Sequence, residues 1–143
     1  MPDKHQKKLE RLHRVRALQL DMVRASEVAA REKVAAEQAL RARIESLAQG
    51  VAPSPAPLPG SATSLIAAAH YRERLHQSAF AAERRVADAQ RGLDHARSVT
   101  QEAKRDQSAI EKLIERAEAN AARRAMRALE DMPAIPRKRH DPC

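Results

Sequence analysis

Tryptophan is absent from this chain, tyrosine and phenylalanine occur once each, and glycine only three times in 143 residues. A compact domain of this length normally fills its core with large side chains, so the shortage of aromatics argues against one. The glycines, Gly50, Gly60 and Gly92, stand too far apart to form a phosphate-cradling loop. A single cysteine, Cys143, has no second thiol to bridge with and sits too late for prenylation, so a reduced, cytoplasmic setting is expected. Nothing approaches the roughly twenty uncharged residues of a membrane span, and Met1–Gln6 opens no apolar run of the signal-peptide kind.

Proline is absent from two long stretches. The eight prolines fall at 2, 53, 55, 57, 59, 133, 136 and 142. A proline inside a helix costs about 3 kcal/mol, so their spacing outlines two helices, 4–49 and 62–131. Between them, Gly50 to Ser61 forms a Pro-rich connecting loop, with Gly50 suited to a left-handed C-cap and Ser61, Thr63 or Ser64 to an N-cap. Residues 132–143 form a basic tail expected to be disordered. What the chain does contain is alanine, arginine, glutamate and leucine, the composition of long helices.

The second helix carries a regular seam. Leu65, Ala68, Arg72, Leu75, Ala79, Ala82, Val86, Ala89, Leu93, Ala96, Thr100, Ala103, Gln107, Ile110, Ile114, Ala117, Ala121, Arg124 and Ala128 return at alternating three- and four-residue steps. Fifteen of these nineteen are apolar, enough to face one partner helix along the whole run. Nine are alanine, which bury little area, and Arg72, Gln107 and Arg124 weaken the seam further. The first helix shows a looser stripe: Leu9, Leu12, Val15, Leu18, Met22, Ala25, Ala29, Ala36, Leu40, Ile44 and Leu47. The expected fold is therefore all-α, a long antiparallel two-helix coiled-coil hairpin with a longer second helix. Pairing outward from the loop would set Leu47 near Leu65, Met22 near Leu93 and Leu9 near Ala103, leaving residues 108–131 projecting past the first helix.

No catalytic constellation is present in this pattern, and neither cofactor nor metal is expected. The histidines at 5, 13, 70, 76, 95 and 140 are scattered, and His70 and His76 lie six apart on different faces of a helix. Glu115 and Glu118 alternate with Lys112 and Arg116, an arrangement of ordinary helix ion pairs. The chain is strongly basic, with net charge +8 and pI about 10.4. That excess is spread along it and draws acidic partners, or is simply a solvated Arg-rich helix surface. Tyr71 and Phe80 fall off the seam, at positions that either anchor an interface or pack on a wandering first helix. The segment Arg123 to Asp131 mixes basic and apolar groups, fit to dock in an acidic groove or to fray.

Two helices of unequal length, and the stretch Ala103-Lys-Arg-Asp-Gln-Ser-Ala-Ile-Glu-Lys-Leu-Ile-Glu-Arg116, resemble the FliJ family of flagellar type III export proteins and its YscO-like virulence counterparts. The resemblance implies a non-catalytic stalk and escort in a bacterial flagellar (type III) protein export apparatus. Such a stalk binds a FliI-like export ATPase hexamer and couples it to a FlhA-like export gate and to export chaperones. It implies that Leu9, Leu12, Arg123, Arg124, Met126, Arg127 and Leu129 enter the ATPase ring. It also implies that Tyr71, Leu75 and Phe80 lie at the gate- and chaperone-contacting surface. The protein would be cytoplasmic, peripheral at the inner-membrane export apparatus and held at the membrane only through partners, with no specific nucleic acid. The alternatives are a basic coiled coil associated with nucleic acid, and a homodimeric scaffold whose long second helices pair across chains.

Overall fold

Proline punctuates this chain where the helices stop. The computed structural model describes residues 4–50 and 62–133, in which α1 spans Lys4–Gly50 and α2 spans Ala62–Glu130. Both helix bounds fall within a residue of those expected. The connector 51–61, with its candidate cap Ser61, and the tail from residue 134 lie outside the described residues. Thr63 and Ser64 sit inside the first turn of α2 rather than ahead of it. Gly50 is the last residue of α1 and does not adopt the left-handed backbone expected of a C-cap.

The chain divides into two compact units. One is Leu18–Lys104. Within it the helices run antiparallel: Arg85 Nε donates to Glu37 Oε2 at 3.2 Å, Val34 packs with Ala89 and Leu93, and the Thr100 hydroxyl lies 3.4 Å from the Val23 carbonyl. The other unit combines the described parts of Met1–Ala17 and Arg105–Cys143. There Arg16 Nη1 donates to Asp106 Oδ2 at 2.9 Å, and His13 Nε2 lies 3.2 Å from Glu111 Oε1, again antiparallel. The fold is an all-α helical hairpin.

The α2 seam buries as its spacing predicts. From Ala68 to Ala117 every one of the fifteen heptad positions is buried or half-buried, while Leu65, Ala121, Arg124 and Ala128 at the two extremes are exposed. Leu93 and Ala82 are the best-covered apolar residues, and no large side chain is wholly enclosed among the described residues. A two-helix layer has solvent on both flanks, so this thinness follows from the architecture. Thr100 is accommodated by donating its hydroxyl to the Ala96 carbonyl one turn back, at 3.0 Å. Arg72 Nε and Gln107 Oε1 are buried without a partner, and each such orphan costs about 1–3 kcal/mol of desolvation.

On α1 the structure overturns the expected stripe. Besides half-buried Glu10 and Ala17 at the edge, the inward residues are Gln6, Leu9, His13, Arg16, Leu20, Val23, Glu27, Ala30, Val34, Glu37, Arg41, Ile44 and Ala48, an alternation of threes and fours. Of the expected stripe only Leu9 and Ile44 belong to this track. Leu12, Val15, Leu18, Met22, Ala25, Ala29, Ala36, Leu40 and Leu47 are exposed. The reason is angular. A step of three falls about 60° short of a full turn, so Leu9, Leu12, Val15 and Leu18 wind about half-way around the helix. A regular heptad seam on α2 needs a partner track that does not wind. The available track is half polar, and its polar members reach outward to pair: Arg16 with Asp106, Glu37 with Arg85, Glu27 with Arg31, and Arg41 with Glu45 at 2.8 Å. Glu45, through its hydrogen bond and charge, raises the Arg41 guanidinium above its ordinary value, with Glu83 across the pair adding attraction.

The register also differs from expectation. Val23 meets Thr100, so its neighbour Met22 lies about one heptad beyond Leu93, and His13 beside Glu111 carries Leu9 well past Ala103. Loop length set the expected register; interhelical charge pairs and matching heptad phases set the real one. Residues 108–117 are consequently paired rather than projecting, and the fully exposed run begins at Glu118.

Two outcomes test this packing. Leu20 is 5% exposed and Leu18 65%, so Leu20→Ala should cost about 2 kcal/mol or more in urea unfolding and Leu18→Ala about 0.5 or less. Equal losses would mean the stripe, not the heptad track, faces α2. Gln107→Leu removes a buried orphan acceptor from the seam and should raise stability by about 1 kcal/mol, read as a higher urea midpoint at unchanged slope.

Candidate partner-binding surface

Among the described residues no large side chain is fully enclosed, and most of each helix surface lies open. Among the described residues no group of three His, Cys, Asp or Glu side chains is placed to hold a metal, and no helix is long and apolar enough to cross a membrane.

The end of α2 supplies the most distinct surface. Every residue from Glu118 to Pro133 is exposed. Within this run Asn120, Arg123, Arg124 and Arg127 line a shallow open depression, and Arg124 Nε donates to the Asn120 carbonyl at 3.4 Å. Met126 and Leu129 are 63% and 68% exposed, and Met132 lies beyond them. The helix is closed by Asp131 N–H donating to the Arg127 carbonyl at 2.9 Å and Met132 N–H to that of Leu129. Arg127, in the last turn, sits where the helix dipole favours a cation. Guanidinium groups beside flexible apolar side chains suit an acidic, partly apolar groove: Arg offers forked donors to carboxylates, and Met adapts its shape.

Of the residues expected to enter a ring, Arg123, Arg124, Met126, Arg127 and Leu129 lie on this exposed run, and Leu12 is exposed on α1 in the same unit. Leu9 does not join them, because it is buried in the seam at the level where Ile114 also turns inward. The expected gate residues separate. Leu75 is buried between the helices and cannot present itself to a partner in this packing. Tyr71 and Phe80 are exposed, but nine residues apart on a helix they point to opposite sides. The three form no common surface.

One surface escaped the sequence reading. Lys4, Lys7, Lys8 and Arg11, at i, i+3, i+4 and i+7, lie together on the first turns of α1, all exposed. Their spacing was legible as a one-sided cationic cluster. The cluster shows only around the helix and not in the charge summed along the chain. Ile66, exposed near the start of α2, was likewise unmarked, being one step off the seam. No protein-family model matches this chain, and neither any curated protein nor any solved structure does.

Proposed function

We propose that this chain is a non-catalytic stalk and escort of a type III, flagellar-type protein export apparatus, acting in the cytoplasm at the export machinery. Its partners in this reading are a hexameric export ATPase, an export gate protein and export chaperones. The observation that carries the reading is the exposed run Glu118–Pro133, which bears Arg123, Arg124 and Arg127 beside Met126 and Leu129. The likeness of Ala103–Arg116 to the FliJ family supplies the identity of the partner.

Mechanically, the exposed extension enters the ring and its guanidiniums meet acidic groups that differ between nucleotide states. The paired helices behind it convey that engagement toward the gate. The thin, half-polar seam suits this role, because exposed ion pairs worth about 0–1 kcal/mol each can be exchanged without unfolding the pair. Leu9 and Leu75 take no direct part and hold the helices together. Tyr71 and Phe80, on opposite sides of α2, serve separate partners rather than one.

A second reading, a coiled coil that binds nucleic acid, is favoured by the Lys4, Lys7, Lys8 and Arg11 cluster. Exposed aromatics for base stacking are limited to Tyr71 and Phe80 among the described residues, so such binding would track phosphate alone and weaken steeply with salt.

Mixing the purified chain with its cognate export ATPase should promote hexamers and raise ATP hydrolysis several-fold. The triple change Arg123→Glu, Arg124→Glu and Arg127→Glu should abolish both effects while leaving helicity intact by circular dichroism. Absence of a complex on sizing, together with unchanged hydrolysis, would remove the proposal. Tight nucleic-acid binding that persists near physiological salt would put the second reading in its place.

A further inference from the structure

Within the unit Leu18–Lys104, the half of α1 that runs to Gly50 keeps an outward track that none of the described residues covers. Ala29, Glu32, Ala36, Ala39, Arg43 and Ser46 recur at steps of three and four, all exposed, on the side of α1 turned away from its inward residues. Leu40 and Leu47 flank it, both more than 40% exposed. Small residues at this spacing let a second helix approach closely, and the leucines add apolar area at the rim. The track therefore has the format of a helix-pairing seam, except for two charges set directly in it.

Those two charges specify the occupant. Neither Glu32 nor Arg43 makes a hydrogen bond or ion pair within the chain among the described residues, although seven arginine–carboxylate pairs form there. We infer that the track pairs with the same track of a second copy of this chain, antiparallel, about a two-fold axis passing between Glu37 and Gln38.

A closed two-fold dimer requires that each surface be its own complement, so that residue i meets j and j meets i. About that axis Glu32 lies across from Arg43 of the second copy, and Arg43 across from its Glu32. Ala36 meets Ala39, and Ala29 meets Ser46, so every remaining layer in the overlap is small on both sides. Alternatives fail on charge. Parallel pairing would set Glu32 against Glu32 and Arg43 against Arg43. Sliding the antiparallel pair by one heptad places both charges opposite alanine or the helix end, desolvated and unpaired, which is the costly arrangement. One register satisfies both. This interface uses α1, leaves the α2 extension untouched, and does not depend on the export reading.

The test uses the full chain with Cys143→Ser, to exclude disulfide cross-linking, in sedimentation equilibrium. A reversible dimer is expected. Glu32→Arg alone and Arg43→Glu alone should each weaken it about tenfold or more, two ion pairs being replaced by two repulsions. The double change Glu32→Arg with Arg43→Glu should restore the original affinity, which also shows that the single variants fold. Three results would each overturn the inference: a monomer at all concentrations up to about 0.1 mM, a dimer indifferent to both single changes, as pairing through α2 would give, or a double variant no tighter than the singles.

Discussion

The strict heptad on α2 is the constraint from which the rest of this structure follows. Fifteen consecutive positions from Ala68 to Ala117 turn inward without a break in phase, and such a row can be covered only by a helix face of the same period. α1 meets that demand with a track containing Gln6, His13, Arg16, Glu27, Glu37 and Arg41, although richer apolar residues lie elsewhere on its surface. Periodicity outweighs hydrophobicity here, because a winding stripe gains its burial over one or two turns and then loses contact.

A half-polar inner face has two consequences. The apolar contribution of each layer is small, since alanine and valine supply much of it, and the long polar side chains must find partners at the rim. They do so through Arg16–Asp106 and Glu37–Arg85, pairs with both members partly open to water. Such pairs add little stability but favour one register, because a slip of one heptad sets each of these four charges opposite an uncharged residue. Alanine layers are nearly interchangeable, so the charges hold the alignment that the apolar seam alone would leave loose.

The second consequence concerns the outside. By turning its irregular stripe away from α2, α1 presents Met22, Leu40 and Leu47 to its surroundings, and α2 ends in an exposed, arginine-bearing run. An isolated hairpin has no internal use for either. In the readings proposed above they serve an acidic partner and a second copy of the chain, and they lie on different elements.

Much of this was legible from the residues themselves. Proline positions delimit both helices because a missing amide and a ring clash act locally, and the α2 seam is visible because nineteen regularly spaced positions leave no competing phase. The segment Arg123 to Asp131 was legible only as a mixture of basic and apolar groups, and Arg123, Arg124, Met126, Arg127 and Leu129 were singled out by the resemblance alone. The inner face of α1, the register, and the burial of Leu9 and Leu75 were not legible, since each depends on a partner helix many residues away. One helix's sequence states which faces it has. Which of them is used is decided when the other helix, with its own fixed period and charges, is laid against it.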